Sequence, residues 1–271
     1  MKIVTFWGGL GNQIFEYIYY KWLQEQYPNE NIFAYYPAKG LKDHNGLEIN
    51  KRFDVKLPPT SKFTNLIGDV CFFGMRVVNR LHFPLLLTCN QCNEKYNRIF
   101  HCDYWQDKKY ISKILLKFRA SSLSKQNEDV LNIVRQPNVV AVHVRRGDYL
   151  QPSVQTIYGG ICTELYYANA MTEIESRIKN PRYIFFSDDP QYVQEHFAKV
   201  DSIIVDWNKG EDSFLDMFLM SQSSNLIVAN STFSYWGARL NTRAYIVCCP
   251  NRWTNINPPD IILENWIKIE S

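Results

Sequence analysis

The 271-residue chain is predicted to be an α/β protein with parallel, doubly wound strands, and three observations carry the prediction. Short runs rich in Val, Ile and Phe alternate with segments of helical spacing throughout the second half. Turns bearing Asp, Asn, Ser or Gly follow those runs, as at the carboxyl ends of parallel strands. At the N-terminus, residues 2–6 (KIVTF) read as a strand that enters a glycine loop and then a helix.

That first loop is 7–13 (WGGLGNQ), with Ile14, Phe15, Ile18, Trp22 and Leu23 at helical spacing beyond it. It falls short of a dinucleotide fingerprint. Gly9 and Gly11 supply G-x-G, but Ile14 stands where a third glycine belongs. No acidic residue closes the second strand predicted at 31–36 (NIFAYY), and no G-x-x-x-x-G-K-S/T occurs. The glycines either let a backbone approach a ligand or form a tight turn, with Asn12 and Gln13 presenting amides. Pro58-Pro59 marks a break, and 66–80 reads as a helix. Cys89-x-x-Cys92 followed by His101-Cys102 has zinc-ligand residue types at cramped spacing, so ordinary thiols are expected there. Residues 104–107 (YWQD) end a short strand, and Ile111, Leu115 and Phe118 predict an amphipathic helix running into 121–129.

The central stretch is 139–149 (VVAVHVRRGDY), an apolar run carried into a charged tip. Strand alternation puts His143 and Arg145 on one face and Val144 and Arg146 on the other, so the two arginines have different jobs. A guanidinium fork suits phosphate, which makes the tip an anion site or a solvated strand end. Regular alternation follows. Residues 165–178, 190 onward, 214–221 and 233–240 are predicted helices, and 183–186, 203–205, 226–229 and 245–248 are predicted strands. The tips Arg145 to Asp148, Ser187 to Asp189 and Asn230 to Thr232 then converge on one crevice. Asp188 suits a ligand or the cap of the helix at Pro190, and Ser231 and Thr232 suit caps or anion ligands. Phe233 and Trp236 read as core. Asn230-Ser-Thr matches a glycosylation acceptor by chance, and Asp188-Asp189 lacks the D-x-D spacing of a metal-binding acid pair.

Composition narrows the class. A formal charge of +3, with no basic stripe on any predicted helix, argues against nucleic acid. With a strand predicted from residue 2, no signal peptide is expected, and no apolar run approaches a membrane span. Seven cysteines, an odd number with Cys248 and Cys249 adjacent, point to reduced thiols. A cytoplasmic protein is expected, with room for peripheral contact at the inner membrane face.

Four ordered segments carry a family resemblance: 7–17 (WGGLGNQIFEY), 143–149 (HVRRGDY), 185–189 (FFSDD) and 229–238 (ANSTFSYWGA). With 104–110 (YWQDKKY) and 216–221 (DMFLMS), they resemble bacterial glycosyltransferase family 11, the α-1,2-fucosyltransferases. The resemblance implies a GT-B-like architecture of two Rossmann-type lobes with an interdomain cleft. The expected lobes are 1–135 on the acceptor side and 136–271 binding the donor. It also implies GDP-β-L-fucose as donor, inversion, the 2-hydroxyl of a terminal β-galactose as acceptor, and no metal or other cofactor. Such an acceptor would sit on an oligosaccharide such as an O-antigen or another surface glycan. By the same resemblance Arg145 contacts the diphosphate, aided by His143. Ser231, Thr232 and Phe233 bind phosphate, Asp188 reads guanine, and Asn12 lies near the fucose. Gly9, Gly11, Ser187 and Asn230 complete the expected donor site. Asp148, one short turn beyond Arg145, is the expected general base, with Glu16 and Asp43 in reserve.

Overall fold

The computed structural model describes residues 1–42, 44–80, 99–111 and 116–270. The chain divides into two α/β units, Met1–Arg119 and Ala120–Ser271, each with its own parallel sheet. This is the fold class expected from the alternation of elements. The division falls ahead of the expected 135/136 boundary, because the helix Lys125–Val134 belongs to the second unit. Val134 accepts a backbone hydrogen bond from Ser224 (3.0 Å), and Asn127 bonds Asn208 across to a later loop (2.8 Å).

In the first unit, β1 (Lys2–Thr5) is buried at every position and leads through Trp7, Gly8 and Gly9 into α1 (Leu10–Gln26). β2 (Ile32–Tyr35), α2 (Ala38–Lys42), α3 (Ile49–Arg52), α4 (Lys62–Arg80) and β3 (Phe100–His101) follow. The sheet order is β2-β1-β3, all parallel. α4 begins a turn earlier than the apolar periodicity indicates, where the Ser61 hydroxyl accepts the Thr64 N–H (3.0 Å).

The helix expected from Ile111 into 121–129 is not formed over 116–124; 112–115 lie outside the described residues. Phe118 instead pairs antiparallel with Phe53, their ring centroids 4.5 Å apart. Arg119 reinforces the pairing by donating from Nε to the Phe53 carbonyl (2.9 Å). A long-range partner therefore overrides the local apolar spacing.

The second unit runs α5 (Lys125–Val134), β4 (Val139–Val144), a 3-10 turn at Gly147–Leu150, α6 (Pro152–Tyr158) and α7 (Glu164–Arg177). β5 (Arg182–Ser187), α8 (Pro190–His196), β6 (Ile203–Val205), α9 (Phe214–Met220), β7 (Asn225–Ile227), α10 (Thr232–Arg239), β8 (Ile246–Pro250) and β9 (Ile267–Ile269) complete it. All six strands are parallel in the order β6-β5-β4-β7-β8-β9. The strand order reverses beside β4, between β4 and β7, which is where a doubly wound sheet opens a crevice at its carboxyl edge. β4 is buried throughout, as a central strand covered on both faces must be, and its Val140, Val142 and Val144 pack on Tyr166, Tyr167 and Ile174 of α7. The last strand, β9, has no counterpart among the predicted elements.

Candidate functional site

At the switch point of the second unit the two arginines separate, as strand alternation requires. Arg145 extends its fork between two carboxylates, with Nη1 2.9 Å from Asp188 Oδ2 and Nη2 2.7 Å from Asp148 Oδ1. Burial works against its charge, but Asp188 and Asp148 outweigh that effect and hold its pKa above the ordinary arginine value. Each terminal nitrogen of a guanidinium carries two N–H groups, so a further acceptor can be met by the same fork. Arg146 turns away. Its Nε donates to Asp189 Oδ2 (3.1 Å), and the guanidinium lies 3.4 Å from the Tyr192 ring centroid.

The tip is built around carboxylate contacts. Asp188 Oδ1 accepts the Arg146 N–H (2.9 Å) while Oδ2 holds Arg145, so both its oxygens organise the β4 and β5 ends. The capping function that Asp188 could have filled belongs to Asp189, whose Oδ1 accepts the Tyr192 N–H (3.1 Å) at the start of α8. Ser187 donates to the Val144 carbonyl (2.8 Å) and accepts the Asp189 N–H (3.0 Å), which ties β5 to β4. Gly147 admits no side chain, because a Cβ there would sit 2.4 Å from Asp188 Oδ2. The sequence reading passed over Gly147; its place between Arg145-Arg146 and Asp148 was the available signal.

His143 is buried beneath this tip, with its ring centroid 5.8 Å from that of Phe233. Burial, with Arg145 nearby, lowers its pKa to about 3, so the imidazole is neutral. Its Nδ1 is buried and has no hydrogen-bond partner among the described residues. Across the switch point, Tyr149 donates to the Asn230 carbonyl (2.9 Å), joining the β4 tip to the turn after β7. Ser231 caps α10 through the Phe233 N–H (3.3 Å), and Thr232 and Phe233 are half-buried at that helix start. Asn230 is buried, and its amide donates to the carbonyls of Tyr158 (3.0 Å) and Trp253 (3.2 Å). It anchors loops, and a buried, committed amide is no glycan acceptor. Trp236 is core, as expected, whereas Phe233 keeps part of its surface beside His143.

The first unit has its own cluster at the carboxyl edge of β1 and β3. α1 begins at Leu10, so Gly11, Asn12 and Gln13 lie in the helix, and of the three glycines Gly8 and Gly9 lie in the loop. Gly8 is the residue the turn depends on, with φ 69° and a virtual Cβ 2.9 Å from Asn12 Nδ2. Gln13 presents nothing outward. Its Nε2 donates to the Gly8 (2.9 Å) and Gly46 (2.8 Å) carbonyls, and its oxygen accepts the Glu48 (2.8 Å) and Ile49 (3.2 Å) N–H groups. Glu16 is fully buried under the loop and accepts the Trp7 N–H (3.0 Å), and burial raises its pKa well above the usual range. Asn12 remains half-buried and accepts from Gln106 Nε2 (3.1 Å). Gln106 is brought back to it by Trp105, held at φ 52° and stacked on Tyr19 with 3.6 Å between centroids.

Asp103 stands in this cluster and was not foreseen. Burial raises its pKa to about 7, although the neighbouring Tyr104 and Trp105 N–H groups oppose the shift, and Tyr104 N lies 2.6 Å from Oδ1. No motif marked it; the signal was its position two residues after a strand that pairs with β1. Asp43, Cys89 and Cys92 lie outside the described residues. His101 is committed to the Tyr19 hydroxyl (2.8 Å), and among the described residues no three His, Cys, Asp or Glu side chains gather as metal ligands.

A parallel sheet in this strand order, with an arginine fork at its switch point, defines a Rossmann-type unit. The model of glycosyl transferase family 11 matches residues 87–270, and the chain belongs to that family. It is 29% identical to an Escherichia coli alpha-1,2-colitosyltransferase, with 97% of each chain covered. It is also 29% identical to the E. coli O-antigen biosynthesis glycosyltransferase WbnK, over 97% of this chain and 98% of that one. A galactoside alpha-(1,2)-fucosyltransferase 1 of Saimiri boliviensis boliviensis is 30% identical over 39% of this chain and 30% of its own.

Proposed function

We propose that this glycosyltransferase is an inverting α-1,2-fucosyltransferase that moves L-fucose from GDP-β-L-fucose to the 2-hydroxyl of a terminal β-galactose. The observation that supports this reading most is the Arg145 fork at the switch point of the second unit's sheet, beside the α10 start. Cleavage of the fucosyl C1–O bond leaves growing negative charge on the β-phosphate of GDP. Arg145 and the 231–233 turn meet that charge, so no metal is needed for it. Neutral His143 packs beneath and keeps the fork aimed, while Asp148 and Asp188 hold its two ends.

The acceptor hydroxyl loses its proton as it attacks. Asp148 Oδ1 is taken up by Arg145 Nη2 (2.7 Å), so Asp148 acts as a positioning group in this reading. Asp103, with its pKa near 7, has the ionisation suited to the task. We assign the first unit, with Asn12 and Asp103, to the acceptor and sugar. The acceptor class is a galactose-terminated oligosaccharide such as a surface or O-antigen glycan, in keeping with the relatives' names.

A second donor has specific support, since the colitosyltransferase relative matches over nearly the entire chain. Colitose is L-fucose without its 3-hydroxyl. The deciding experiment gives the purified protein GDP-fucose and GDP-colitose in turn with a panel of β-galactosides, and reads product linkage by NMR. Fucose on O2 of galactose is expected; preferential use of GDP-colitose, or another linkage, would overturn the assignment. Turnover is expected to continue in EDTA, and loss restored by a single divalent ion would refute metal-free charge neutralisation.

A further inference from the structure

α4 has two apolar faces, and the described residues of its own unit cover only one of them. Ile67, Cys71, Phe72 and Met75 pack with Ile3, Tyr35 and Phe100 of the sheet. On the outer side Phe63, Leu66, Val70 and Phe73 are 62–69% exposed and Val77 39%. Their alternating spacing of three and four sets all five on one stripe along the helix. A contiguous bare stripe of this kind marks a contact surface, unlike scattered exposed apolar residues.

The charges bordering the stripe indicate what it meets. Lys62 and Arg76 are exposed beside it, near opposite ends of the helix. The helix's one acid, Asp69, is also exposed, at heptad spacing from both on the same edge, and accepts a hydrogen bond from the Tyr35 hydroxyl (2.7 Å). The described charges on that edge, two cations and one acid, leave it with a net charge of +1. A second copy of the chain is a poorer fit. A stable dimer hides roughly 800 Å² per partner, more than one stripe of five side chains presents. Two heptads also fall short of the three to four or so over which a coiled coil holds. A lipid surface needs only a shallow apolar strip with cations at headgroup level.

We propose that α4 is an interfacial helix that lies on an anionic bilayer. Phe63, Leu66, Val70, Phe73 and Val77 enter the acyl boundary, and Lys62 and Arg76 reach the phosphate headgroups while their stems stay in apolar contact. This goes beyond the transferase reading and does not depend on it, because it concerns where the enzyme works.

The test is co-sedimentation of the full chain with phosphatidylglycerol–phosphatidylethanolamine vesicles and with phosphatidylcholine vesicles, alongside light scattering for mass. Wild type should partition to the anionic vesicles, with at least tenfold weaker binding to phosphatidylcholine. The double substitution L66D/F73D should lower anionic binding at least tenfold without moving the unfolding midpoint, since both positions are exposed. The pair K62E/R76E, which keeps the stripe, should weaken binding to anionic vesicles and leave the phosphatidylcholine level unchanged. Wild type remaining in the supernatant, or both variants binding as wild type does, would overturn the proposal. A dimeric wild type that becomes monomeric in L66D/F73D, without vesicle binding, would assign the stripe to a second copy instead.

Discussion

Adjacent arginines with unrelated duties show how much a single residue's direction decides. Arg145 spans the two carboxylates of Asp148 and Asp188, whereas Arg146 is closed between Asp189 and the Tyr192 ring. Arg145→Ala is therefore expected to lower kcat by roughly 10²- to 10³-fold with little change in unfolding temperature, the cost of removing a charge-stabilising donor. Arg146→Ala should do the reverse, retaining most turnover while losing about 1 kcal/mol of stability from a partly exposed pair and its ring contact. Paired kinetic and thermal measurements on the two variants check both. Strand alternation made this division readable beforehand. The partners were not readable, because Asp188 and Asp189 reach the arginines from another strand. Asp103 escaped notice for a related reason, since burial and not residue type gives it a near-neutral pKa. A carboxylate base works when ionised, so kcat/KM should fall as pH drops below about 7. Asp103→Asn should be slow at every pH and lack that acid limb; a variant that kept the limb would remove Asp103 from the role.

At the scale of elements, the carboxyl-edge turns were legible because strand length, apolar content and the polar residues that follow agree on one reading. β4, β5 and β6 fall where the apolar runs placed them, and the helices after Pro190 and Ser231 begin with capping residues. The pairing of Phe53 with Phe118 was hidden, since nothing local tells a residue that its partner lies far back in the chain. The β4–β5 tip also depends on an empty volume. Gly147→Ala would push the Asp188 carboxylate off Arg145, because the added methyl falls within 2.4 Å of Oδ2. Its expected signature is a loss of up to about 100-fold in kcat/KM in a protein that melts near wild type, as for a small misplacement of a catalytic group. Activity equal to wild type would mean that Asp188 does not orient the fork.

Across the molecule, buried ionisable groups set the response to pH. Asp216 on α9 accepts from Asn208 (2.7 Å), which also bonds Asn127 of α5, and burial raises the Asp216 pKa to about 7. The folded chain holds that proton where the unfolded chain, near 3.8, releases it. Its stabilising effect is present at low pH and is lost as pH rises from about 4 through 7. Asp216→Asn should therefore gain in melting temperature over wild type with rising pH, and level off above about pH 7; a pH-independent difference would contradict the shift. His143 acts in the opposite direction. With a folded pKa of about 3, it favours the native state above the ordinary histidine range and loses that effect as pH falls. The Asn230 amide rests on the carbonyl of Trp253, and β8 gains its outer neighbour only at Ile267–Ile269. The turn beside Arg145 thus receives supports from Trp253 and from Ile267–Ile269, and a ribosome must deliver those residues before that turn can set.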